Sequence, residues 1–213
     1  TGWRLLVNGG NSFKAPTFND LYYPGYANPA LRPERGHNAD IGLQWSQDNH
    51  RASATIYRNE VRDLIQFVCD ASYNCAPQNV ARARLTGLTL AGATRLGGWR
   101  VDGNLDVTDP RDTTADRQLA RRAKVHGALR LAGDLFGFSG GAEVLASGQR
   151  YDNAANTRVL PGYTLLNLHV SRQVGPGVRV GARVDNVTDR DYQLAYGYAT
   201  GGRRAWITLA VER

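Results

Sequence analysis

Histidine, cysteine and the acids are the side chains here that could do covalent or proton-transfer chemistry, and their spacing forms no catalytic pattern. His37, His50, His126 and His169 are scattered, with no Ser, Cys or paired acid at motif distance. An acid–histidine centre that activates water needs both groups at one rim. The predicted long loops carry Asp109, Asp112, Asp116 and Asp152 but no histidine. Cys69 and Cys75 fall in one predicted loop, 68–78, with no further Cys or His beside them to complete a metal site. A disulfide formed outside the reducing cytoplasm is the favoured use, a free pair the alternative. No enzyme activity, metal or cofactor is expected.

The chain has 213 residues and a net charge of +7, with an isoelectric point near 9.7. Such an excess could neutralise nucleic-acid phosphates. The arginines, however, are spread about one per strand among aspartates, as Arg179 and Arg183 are beside Asp185, and no basic stripe interleaved with aromatics occurs. A solvated polar lumen accounts for them better, so no nucleic-acid partner is expected. Mean hydropathy is −0.43, and no run approaches the ~20 apolar residues of a spanning helix. Membrane strands need only about 9–11 residues, half of them polar, and escape that measure. Methionine is absent, which suggests a processed or truncated chain lacking initiator and signal peptide.

Positioning these groups falls to ten amphipathic segments of strand period. In 99–108, Trp99, Val101, Gly103, Leu105 and Val107 alternate with Arg100, Asp102, Asn104, Asp106 and Thr108; 178–185 repeats the pattern. The segments run 3–13, 34–46, 51–67, 80–96, 99–108, 122–132, 136–149, 163–173, 178–185 and 202–213. In the fourth, Ala83 and Leu85 share one parity and Leu88 and Leu90 the other, which predicts a bulge near Gly87. Short turns are expected at 47–50, Gly97–Gly98, Gly133–Asp134 and 175–177; long loops are expected at 14–33, 68–78, 109–120, 150–162 and 187–201. Four prolines in 14–33 forbid a continuous ladder there. Long and short connections alternate throughout, as in an outer-membrane barrel with short periplasmic turns. A soluble sandwich would need a companion to cover the repeated apolar face, and no such sequence is present. The expected fold is all-β, an antiparallel up-and-down transmembrane β-barrel segment. Val101, Leu105, Val107, Val180, Val184, Ile207 and Leu209 should face lipid, with Asp102, Arg179 and Arg183 inward.

Several motifs then carry a resemblance. Asn186-Val187-Thr188-Asp189-Arg190-Asp191-Tyr192 with Tyr196-Gly197-Tyr198 and Gly202-Arg203 resembles the last outer loop and final strand of TonB-dependent outer-membrane receptors. Ser12-Phe13-Lys14-Ala15-Pro16, Leu21-Tyr22 and Asn28-Pro29-Ala30-Leu31-Arg32-Pro33-Glu34 resemble an upstream loop of the same family. Within it, Tyr57-Arg58-Asn59-Glu60-Val61-Arg62-Asp63-Leu64-Ile65, Arg121-Arg122-Ala123-Lys124 and Arg150-Tyr151-Asp152 are most similar to the cobalamin-transporting branch.

The resemblance implies that residues 1–213 are the C-terminal ten strands of a barrel of about twenty-two. The plug domain and the energy-coupling segment that contacts the TonB complex would lie outside them. It implies import of a scarce bulky nutrient, cobalamin first and an iron–siderophore complex second. It also places Arg121 and Tyr198 near bound ligand. Tyr192, Tyr196 and Tyr198 can equally serve as headgroup-belt aromatics. Two rivals stay in view: a ten-stranded outer-membrane protease and a passive porin. One departure is the ending Val211-Glu212-Arg213, where the family has an aromatic residue.

Overall fold

Strict alternation of apolar and polar side chains yields a single antiparallel meander. The computed structural model describes residues 2–69 and 75–211, with Cys69, Val80 and Ala81 described by backbone alone. In chain order the elements are β1 (Gly2–Lys14), α1 (Phe18–Tyr22), β2 (Glu34–Gln47), β3 (His50–Cys69), β4 (Cys75–Leu96), β5 (Trp99–Asp112) and β6 (Arg117–Gln118). There follow β7 (Val125–Leu135), β8 (Phe138–Ser147), β9 (Arg150–Tyr151), β10 (Val159–Leu160), β11 (Tyr163–Gly175), β12 (Val178–Asp185) and β13 (Arg204–Val211). Ten of these pair in the order β1-β2-β3-β4-β5-β7-β8-β11-β12-β13, with β6 added beside β5 and β9–β10 forming a separate pair. Among the described residues β1 and β13 each have one neighbour, so the sheet is an open arc of wall.

One face is apolar across the arc. Trp3, Leu5 and Val7 of β1 lie opposite Trp45, Leu43 and Ile41 of β2, and Ile41, Leu43 and Trp45 lie opposite Ile56, Ala54 and Ala52 of β3. Leu105, Val107, Val180, Ile207 and Leu209 are exposed on this face; Val101 and Val184 are half-buried. The buried apolar side chains gather instead under the outer loops, at Leu31, Leu119, Leu160 and Leu165. Lipid is the solvent such a face requires.

Local chemistry sets the ends. Thr17 caps α1: its hydroxyl accepts from the Asp20 backbone N–H while Asp20 accepts from the Thr17 backbone N–H. Turn positions at Asp48, Gly97 and Gly177 have φ of 48°, 61° and 68°, left-handed geometry that Asp and Gly tolerate. The turn expected at Gly133–Asp134 lies instead at Phe136–Gly137, because Gly133 and Asp134 still pair with Gly140 and Ser139. Phe136 and Gly137 have φ of 52° and 77°, the primed turn that suits a twisted hairpin.

The bulge expected at Gly87 is absent. Register runs unbroken from Ala83↔Asp112 to Leu96↔Trp99, and Tyr57↔Gly87 is an ordinary pair. The change of parity is real but reflects environment: Leu88 and Leu90 face lipid, while Ala83 and Leu85 face inward, where the loops cover them. The register shifts fall at Val61/Leu64 and Leu64/Ile65, beside Asp63 at φ 56°. The Asp63 carbonyl accepts from Asn79 Nδ2 at 2.7 Å.

The β3–β4 hairpin is longer than a membrane crossing needs, with 20 and 22 residues. Strand pairing therefore consumes most of the loop expected at 68–78. Cys69 ends β3 opposite Cys75 at the start of β4, and the tip, 70–74, lies outside the described residues, as do Glu212 and Arg213.

Gly87 tests the inner face. A Cβ there would fall 2.5 Å from the Tyr57 hydroxyl and 2.7 Å from the Val107 carbonyl oxygen. Gly87→Val is expected to displace Tyr57 and destabilise the complete barrel by about 1–3 kcal/mol, read as a lower urea midpoint for unfolding.

Candidate ligand-binding site

The inward face begins as a ladder of charge. Arg100 donates to Asp102 at 3.1 Å, Arg130 lies between Asp102 at 3.5 Å and Glu143 at 2.7 Å, and Asn167 Nδ2 donates to Glu143 at 3.0 Å. Asn167 Oδ1 in turn accepts from the Asn186 backbone N–H at 2.9 Å. Each carboxylate has a partner, which lets polar groups line a wall whose other face meets lipid. Arg183 donates to Asp185 at 2.5 Å on the same side.

Towards the long loops this wall opens into a cavity of about 690 Å³. Tyr57, Asp106, Arg121, Arg122, His126, Arg150, Tyr163, Tyr192, four leucines and three alanines contribute to its lining. Asp106 is held from two strands: Thr89 Oγ1 donates at 2.5 Å, and the Tyr57 hydroxyl lies 3.2 Å from both carboxylate oxygens. His126 Nδ1 is 3.8 Å away. The lining carries three arginines and one carboxylate, so the mouth favours ligands rich in acceptor oxygens; the tyrosines and leucines offer flat apolar area.

Three outer loops are laced together over this cavity. Arg150 is 4% exposed; it donates Nη2 to the Gln193 carbonyl at 2.6 Å and packs over the Tyr163 ring at 5.4 Å. Tyr163 meets Tyr192 at 4.5 Å between ring centroids. Asp152 accepts from Arg121 Nε at 2.8 Å and from the Tyr196 backbone N–H at 3.1 Å. Burial pushes the Asp152 carboxyl up, but the Tyr196 N–H and the Arg121 guanidinium outweigh it and hold the group below the usual carboxylate range. Arg158 stacks on Tyr196 at 4.5 Å. Arg121 itself sits at φ 58° and donates its backbone N–H to Tyr151.

Of the two ligand residues the resemblance named, Arg121 lines the cavity. Tyr198 stands 73% exposed in the last loop, outside that lining. Arg150, Asp152 and Tyr57 came forward from sequence within motifs that carry the resemblance, with no site role, and the Tyr57–Asp106 pairing did not come forward at all. Tyr57 and Asp106 are 49 residues apart, and only the strand register joins them. Among the described residues no three His, Cys, Asp or Glu side chains gather to hold a metal.

Residues 1–187 match the family model described as "TonB dependent receptor-like, beta-barrel". The chain belongs to the TonB-dependent receptor barrels. It is therefore an outer-membrane protein, and its long loops face outward. It is 32% identical over 213 residues to the vitamin B12 transporter BtuB of Photobacterium profundum, covering 98% of this chain and 35% of that protein. It is 31% identical over 216 residues to BtuB of Vibrio vulnificus, with the same coverages. The chain thus spans about a third of the length of these relatives. Among solved structures, the copper transporter OprC superposes with a TM-score of 0.84 at 22% identity, over 98% of this chain and 37% of OprC. The ferric enterobactin receptor PfeA of Pseudomonas aeruginosa does so with 0.79 at 18%, over 98% and 38%. At those identities the two structures speak for the fold alone. The relatives are transporters and receptors, and the inward-facing ladder is one such receptor's polar wall.

Proposed function

We propose that this chain forms the C-terminal ten strands of a larger TonB-dependent barrel whose outer mouth captures cobalamin for energised import. The single observation that carries the reading is the acceptor-seeking, tyrosine-lined cavity under three laced loops. The identity to vitamin B12 transporters over 98% of the chain supports cobalamin as its occupant. Arg121 would donate to the ligand's amide and phosphate oxygens, its Nε held by Asp152. Tyr198, on an exposed loop segment, would close over the ring from outside. A plug domain and the TonB complex complete the cycle.

The structural likeness to a ferric enterobactin receptor keeps an iron–siderophore complex as the second reading. Uptake separates them: cells expressing the complete receptor should accumulate labelled cyanocobalamin, and a protonophore should stop it. Accumulation of a ferric siderophore with no cobalamin uptake would replace the first reading by the second.

We also propose that Cys69 and Cys75 are bonded, on the ground that they are direct cross-strand partners. Iodoacetamide should label the protein only after reduction. Reduction should barely change the stability of the barrel wall, because the bond joins only the tip of the β3–β4 hairpin. Two labelled thiols in unreduced protein would refute the bond.

A further inference from the structure

A second set of arginines points the other way, onto the outside of the wall. Arg35 shares the outward parity of Ile41, Leu43 and Trp45 along β2, and its Cα partner on β3 is Arg62. Arg58 and Glu60 lie on the same outward rows of β3 as Ile56, which is 64% exposed. Arg84 of β4 is opposite Glu60. Arg58 is ion-paired with Glu60, and Arg62 and Arg84 also attract that carboxylate. Three arginines therefore attract one acid, Arg35 stands opposite one of them, and Arg35, Arg62 and Arg84 have no direct hydrogen-bonding partner among the described residues. Like charges placed directly opposite across strands, as Arg35 and Arg62 are, destabilise a sheet. An anion between them removes that penalty.

The height of the cluster identifies the anion. Trp3 and Trp45 touch at 6.4 Å at the end of the outward face nearest the short turns, where aromatics mark one edge of the apolar band. Arg35 lies ten positions before Trp45 on β2, towards the long loops. At ~3.4 Å per residue and a strand tilt of about 40°, that is roughly 26 Å above Trp45, the height of the band itself. Arg35 and Arg62 thus stand at the outer headgroup level. Arg58 and Arg84 sit slightly lower and reach it by extending their apolar stems along the wall.

We infer that the Arg35–Arg58–Arg62–Arg84 cluster is a binding site for the phosphate of an outer-leaflet glycolipid. The planar guanidinium pairs phosphate bidentately, and the acyl chains continue down the apolar face formed by Ile41, Ile56 and Leu90. This inference rests on the outward face and its orientation and is independent of the nutrient carried.

The test titrates the complete receptor in detergent with diphosphorylated lipid A and with its dephosphorylated form, reading bound lipid by native mass spectrometry. The phosphorylated lipid should bind, the dephosphorylated one should bind at least about tenfold more weakly, and R62Q/R84Q should lose a similar factor. E60Q, which removes the competing carboxylate, should bind more tightly than the parent, a gain that misfolding cannot mimic. Equal retention of the two lipids, unchanged retention in R62Q/R84Q, or weaker binding by E60Q would each overturn the site.

Discussion

Arg150→Ala is expected to unfasten the last long loop from the barrel mouth and to weaken ligand binding by about 2–4 kcal/mol. The side chain is 4% exposed, so its removal leaves a hole where a charge-assisted bond to the Gln193 carbonyl and a stacked ring at Tyr163 had been. A hydrogen bond to a charged group contributes about 1.5–3 kcal/mol and a desolvated cation–π contact up to ~2. Lysine cannot restore both, because a point ammonium lacks the planar fork that reaches a carbonyl while lying on a ring. Limited proteolysis should show cleavage within 187–201 in the variant and not in the parent, and calorimetry should show the loss of affinity. Parent-like resistance together with parent-like affinity would show that Arg150 does not fasten the loop.

Asp152→Asn should have the next largest effect, about 1–3 kcal/mol on ligand affinity, because one carboxylate holds both Arg121 and the Tyr196 N–H. The dependence on pH follows from its lowered pKa. A carboxyl depressed in the folded state contributes stability that is fully present above its unfolded value, ~3.9, and is lost as pH falls through the lower folded value. Loop protection in the parent should therefore persist from neutrality down to about pH 4 and decline only below it. In the Asn variant the protection should start lower and lack that acid-side decline. An identical acid profile in both proteins would show that another group carries it.

How much of this was legible in the sequence divides by the range of the interaction. Alternation along one strand is local, so the lipid-facing rows of β5, β12 and β13 could be read directly, as Ile207 against Trp206 and Thr208 shows. Turn chemistry was legible at Gly97 but misleading at Gly133, where a glycine paired with Gly140 inside the sheet looks the same as one that ends a strand. The apparent bulge at Gly87 came from assuming that leucine always faces lipid. Leu85 faces the cavity, and parity alone cannot say which apolar face is which. The cysteine loop is shorter than its sequence predicts because Val68, Cys69 and Cys75-Ala76-Pro77-Gln78 lack the alternation of apolar and polar residues that marks a strand, and Pro77 reads as a breaker. The site was least legible. Arg121 came from family likeness, but Arg150, Asp152 and the Asp106 cluster depend on bonds across 31 to 49 residues, and no spacing rule links such positions.

Calorimetric titration of the purified complete receptor with cyanocobalamin tests the central claim most directly. Saturable one-to-one binding is expected, and Arg121→Ala and Tyr198→Ala should each weaken it by about 1–3 kcal/mol, the cost of losing a charge-assisted hydrogen bond or an aromatic contact. Absence of cobalamin binding, with a ferric siderophore bound instead, would contradict it.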